Sequence, residues 1–116
     1  TAIPHWGGTG TTNFATNQVG TGGGYTGPIT LASVTFTEIG TSPKVPTLRA
    51  TDVVIPQNAS GFANGAYGII YNDTDANKRA LGYIEISSAG TASIVSGSLT
   101  LDFQGAGTDV FRITPV

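Results

Sequence analysis

The sequence has no cysteine, no methionine, a single histidine and a single tryptophan. Without cysteine there is no disulfide framework and no thiolate metal site, and one histidine leaves too few ligands for zinc. Small compact scaffolds often rely on such staples, so this chain must find its stability elsewhere. Charge is also scarce: 10% of residues, against about 25% in an ordinary soluble domain. The five basic residues are Lys44, Arg49, Lys78, Arg79 and Arg112, and the net charge is −2. That balance gives no electrostatic footprint for nucleic acid. No apolar run approaches the ~20 residues of a membrane span. The opening residues, Thr1 to Trp6, lack the basic and apolar regions of a signal peptide. A small residue at position 1 fits removal of an initiator methionine, and a natural terminus is expected there. A surface so poor in charge suits a protein covered by neighbours.

What the sequence does contain is unevenly distributed. All twelve charged residues lie from Glu38 onward, and Gly and Thr fill fifteen of the first 28 positions. Glycine loses the most backbone freedom on ordering, and few apolar side chains are present to offset that loss. Residues 1–28 therefore read as an extended arm, flexible in isolation, and residues 29–116 as a β domain. Fully extended, the arm would reach about 90 Å, enough to cross a neighbouring subunit. Ile3, His5, Trp6, Phe14, Val19 and Tyr25 are spaced along it as anchor-type side chains, the expected partner-binding residues.

Beyond Pro28 the pattern becomes alternating. Ala32, Val34 and Phe36 fall on one face of a strand, with Ser33, Thr35 and Thr37 on the other. Further strands are expected over Thr47–Ile55 (ended by Pro56), Ala66–Tyr71, Arg79–Ile86, Ser98–Phe103 and Val110–Thr114. Leu99, Leu101 and Phe103 should point inward, and Phe111 and Ile113 should share a face. Turn clusters such as Asn64-Gly65, Asn72 to Asn77 and Gly105-Ala106-Gly107 separate the runs. The expected class is all-β, a small sandwich or barrel of jelly-roll type carrying an extended N-terminal arm.

No catalytic set assembles from these residues, so no enzyme and no cofactor are expected. His5 lies in the Gly-rich arm without a nucleophile elbow, and reads as a contact residue beside Trp6. Asp73-x-Asp75-x-Asn77 opens like an EF-hand calcium loop. Lys78 then replaces the required Gly and Ile84 the bidentate Glu, so a polar hairpin loop is expected instead. Glu85 and Asp102 could be imagined as a glycosidase pair, but they read better as solvated face residues. Asn58-Ala59-Ser60 and Asn72-Asp73-Thr74 match a glycosylation pattern that chance alone supplies. Tyr67 and Tyr71 share a strand face, either as a sugar-stacking platform or as an interface or core stripe.

From Gly65 to Ile84, a strand, an N-D-T-x-x-N-K-R loop and a returning strand resemble segments of small virion structural proteins of tailed bacteriophages. Gly97 to Ile113 is similar in the same way, and the likeness covers residues 47–115 but not the arm. The resemblance implies a non-catalytic particle component on the capsid surface, a decoration or cement protein. Such proteins are commonly trimeric and clamp the major capsid protein or other virion subunits. The alternative is a carbohydrate-binding sandwich using Tyr67, Tyr71 or Trp6.

Overall fold

A computed structural model describes residues 2–42, 44–103 and 109–112. The chain is all-β, with one four-residue 3-10 turn and no longer helix among the described residues. Its contacts divide it into two units, one from Thr1–Thr26 with Pro56–Ser98, the other from Gly27–Ile55 with Leu99–Val116.

The second of these holds two small antiparallel sheets. Strand β3 (Thr35–Ile39) pairs with β4 (Val45–Arg49) in unbroken register, Phe36 opposite Leu48 and Thr37 opposite Thr47. On its far side β4 pairs with β9 (Asp109–Arg112), with a register shift at Leu48/Arg49. The other sheet pairs β5 (Val53–Ile55) with β8 (Leu99–Leu101). Val53 and Ile55 are buried while Val54 between them is exposed, the period of two of a half-buried strand. Phe103 is buried just beyond β8, as its alternation predicts, and Leu99 and Leu101 are half-buried.

Two expectations fail in this unit. The apolar run Thr47–Ile55 is not one strand but two, on different sheets. The corner is fixed by hydrogen bonds: Thr51 N–H donates to the Ala32 carbonyl at 3.0 Å, and the Asp52 carboxylate accepts Phe103 N–H at 3.0 Å. The strand expected over Ala32 to Thr37 is displaced to Thr35–Ile39, and its apolar face is open: Val34 is 51% and Phe36 63% exposed. Thr47, from β4, is the residue that is fully buried, its hydroxyl donating to the Val45 carbonyl at 3.1 Å. The last strand begins at Asp109, and the expected pairing of Phe111 and Ile113 on one face lies outside the described side chains.

The other unit is organised by a hairpin, β6 (Tyr67–Tyr71) against β7 (Ala80–Glu85), with Ile69 opposite Tyr83 and a register shift at Ile70/Tyr71. One hairpin face packs inward, where Ile84 and Ile86 crowd Gly68 and Phe62 and Ile86 crowd Gly65. Phe62 and Ile94 are buried, and Ile94 is tied at both ends by its N–H to Phe62 O and its carbonyl to Asn58 N–H.

Residues 2–26 are not an extended arm. They wind through β1 (Pro4–His5), β2 (Thr12–Asn13) and a 3-10 turn (Phe14–Asn17), with β1 and β2 parallel to each other. Their contacts join them to residues 56–98, a grouping different from an arm over 1–28 beside a domain over 29–116. The physical reason is close backbone approach. A Cβ at Gly8 would collide with the Asn77 carbonyl, and one at Gly23 (φ +48°) would sit 2.5 Å from the Ser60 carbonyl carbon. Here glycine lets two backbones touch, which composition cannot distinguish from glycine that keeps a tail loose.

Candidate functional site

The N-terminal segment is built around Asn13. Its side-chain oxygen accepts Gly7 N–H at 2.9 Å and Ala15 N–H at 3.0 Å, so it both caps the 3-10 turn and holds the preceding loop. Thr16 hydroxyl donates back to the Asn13 carbonyl at 2.8 Å. The segment then meets the hairpin through backbone and ring together. Trp6 N–H donates to Lys78 O at 2.9 Å, His5 bridges Arg79, and the Trp6 ring stacks on Tyr71 at 5.7 Å and 12°.

The six expected anchors therefore divide. Trp6 is engaged with Tyr71. Tyr25 meets Phe62 edge to face at 5.4 Å, while its hydroxyl accepts from Gln18 Nε2 at 3.3 Å. His5 is 2% exposed, and neither ring nitrogen has a hydrogen-bond partner among the described residues. Val19 is half-buried and Ile3 exposed. Phe14, at the start of the 3-10 turn, alone among the six borders an open groove of 450 Å³, which Pro4, Tyr67, Ile69, Leu81 and Tyr83 also line.

That groove is lined by exposed apolar side chains. Tyr67 (59% exposed) and Tyr83 (67%) meet edge to face at 5.6 Å and 85°, forming an exposed aromatic corner, and Leu81 is exposed beside them. Tyr67 and Tyr71 do not form a common platform: Tyr71 is taken by Trp6, and Tyr67 pairs with Tyr83 instead. An aromatic on an alternating strand, as Tyr83 is, has the pattern of a core residue. The signal against that was Glu85, two positions on and on the same strand face, since a charged residue marks a face open to water.

The loop closing the hairpin satisfies itself. Asn72 Oδ1 accepts Thr74 N–H (3.1 Å) and hydroxyl (2.7 Å), and Asp75 accepts Asn77 N–H (3.1 Å). Lys78 pairs with Asp73 at 2.8 Å and Arg79 with Asp75 at 3.5 Å, so both candidate calcium-binding carboxylates are occupied by cations of their own loop. Asn58 likewise accepts Ser60 N–H at 2.9 Å. Glu85 and Asp102, the imagined acid pair, are both exposed and belong to different units.

Two tyrosines titrate above the ordinary phenol range. Burial raises Tyr25, partly opposed by the Gln18 hydrogen bond. Burial also raises Tyr71, and the nearby negative charge of Asp73 adds to it. Lys78 is raised by its hydrogen bond to Asp73. The tyrosine shifts follow from burial of their rings, and the lysine shift from its ion pair within the loop.

Compared with known proteins, the chain matches no family model, no curated protein and no solved structure.

Proposed function

We propose that the chain is a non-enzymatic structural protein that works by burying exposed apolar faces against protein neighbours, as a capsid decoration protein does. The observation that carries this reading is the set of large apolar side chains left in water on ordered strands. Tyr67, Leu81 and Tyr83 lie on one hairpin, and Val34 and Phe36 lie on or beside β3. Such faces on a chain with 10% charged residues mark interaction surfaces. In this reading the partners are the major capsid protein or other virion subunits, and the location is the particle surface. The small sheets then stack as a jelly-roll-like sandwich completed by oligomerisation.

The intramolecular contacts of Trp6 and Tyr25 move the expected contact surface. The exposed strand faces, rather than a free arm, clamp the neighbour. A virion component should band with purified particles in a density gradient in fixed stoichiometry, and Tyr83→Ser should lower its occupancy without unfolding it. Absence from the particle band would sink the reading.

A carbohydrate-binding role is the second reading because of the Tyr67–Tyr83 corner, whose exposed aromatic rings suit stacking on a sugar. A glycan array separates the two. A decoration protein gives no sugar preference, whereas a lectin-like module gives one that Tyr83→Ala abolishes.

A further inference from the structure

We propose that β3 is a self-pairing edge through which two copies of this chain join into a continuous six-stranded sheet. The three-stranded sheet runs β3-β4-β9, so β3 is its edge, paired on one side only among the described residues. An edge strand offers a row of unpaired backbone donors and acceptors, and folded proteins usually guard it with proline, charge, a bulge or a very short strand. β3 has none of these guards. It is five residues long, contains no proline and keeps unbroken register with β4. Its one charge, Glu38, stands near the strand's end and is bound to Lys44 of its own chain at 3.0 Å.

The occupant follows from the row of side chains. An edge of this kind accepts extended backbone, and the sequence Val34-Thr35-Phe36-Thr37-Glu38 is complementary to itself when reversed. An antiparallel two-fold centred on Phe36 sets Phe36 opposite Phe36 and each Thr35 opposite Thr37. Aromatic and threonine cross-strand pairs of this kind stabilise sheets. Val34 then faces Glu38 of the other copy, so the two carboxylates are kept at opposite ends and no like charges meet. The exposed Phe36 and Val34 are covered in the same step. A two-fold contact of this kind is isologous and closes on itself, giving a dimer instead of the trimer that the resemblance implies. This inference concerns the chain in pure solution and does not depend on a particle or a glycan, so it can fail while the decoration reading stands, and the reverse.

Sedimentation analysis of the whole chain tests it. Wild type should sediment as a concentration-dependent dimer. Phe36→Lys and Phe36→Glu should each be monomeric with an unchanged far-UV spectrum, because like charges then meet at the two-fold. Mixing the two variants should restore the dimer. Val34→Lys should tighten the dimer by about threefold, since the new ammonium meets Glu38 of the other copy. Tyr83→Lys, on the separate hairpin, should leave it unchanged. A monomeric or trimeric wild type would overturn the proposal. So would a dimer that survives Phe36→Lys, a mixture that stays monomeric, or a dimer weakened by Val34→Lys.

Discussion

The hairpin β6–β7 and the hairpin β3–β4 are nearly the same length, yet the chain treats them differently. The first is clothed by the protein's own N-terminus: Trp6 covers Tyr71, β1 bridges Arg79, and Asn13 locks the covering loop in place. The second has no such cover among the described residues, where Val34 and Phe36 are exposed beside the sheet edge β3. The contrast teaches where partners are to be sought. Apolar anchors in a glycine-rich terminus were the expected docking elements, but much of that anchoring is spent inside the chain. In the proposed reading, the surfaces left for a neighbour among the described residues are strand β3 and the exposed Tyr67–Tyr83 end of the first hairpin.

The comparison can be broken most severely from within the clothed unit. Ile94 is fully buried, so Ile94→Ala should cost about 3 kcal/mol and lower the thermal midpoint substantially. Next in size is Gly8→Ala, whose Cβ would collide with the Asn77 backbone. A loss of about 2 kcal/mol is expected in a denaturant titration, with the N-terminal segment becoming sensitive to protease. Trp6→Ala should cost about 1–2 kcal/mol by removing the stacked pair. Phe36→Ser, on the bare hairpin, should change monomer stability by no more than about 0.5 kcal/mol, since its ring is already in water.

Alkaline pH sharpens the same contrast. Tyr71 and Tyr25 are both raised in the fold, so the folded state holds their protons more tightly than the unfolded chain does. Their contribution is complete below the ordinary phenol value of about 10 and is lost as pH climbs through the raised values. Stability should therefore fall above about pH 10. Tyr71→Phe should flatten part of that fall in a pH series of thermal midpoints, whereas Thr37→Ala on β3 should not alter its slope.

Much of the strand pattern could be read directly from alternation. Leu99, Leu101 and Phe103 turn inward as their spacing demands, and the Asn72–Arg79 stretch is the self-bonded polar loop its Asx residues suggest. Alternation locates a two-faced strand but does not say which face meets water. Phe36 stands opposite Leu48 and stays in water, while the buried Thr47 stands opposite Thr37 on the other face. The run Thr47–Ile55 concealed a corner because Ala50 and Thr51 fit a strand. Only Asp52, whose carboxylate needs the Phe103 N–H, hinted at the break. The N-terminal segment was the least legible, because close contact and looseness ask for the same residue. Tyr83 was obscured in the opposite way, since an aromatic on an alternating strand resembles core until its charged neighbour Glu85 is weighed.

The docked N-terminus is the claim on which the rest depends, and amide hydrogen exchange on the dilute monomer tests it most directly. Trp6 N–H, bonded to the Lys78 carbonyl, should exchange slowly, and the indole should show NOEs to the Tyr71 ring. Rapid exchange at Trp6 with no such NOEs would mean that the segment is free in solution, returning partner binding to the arm and contradicting the account given for the exposed strands.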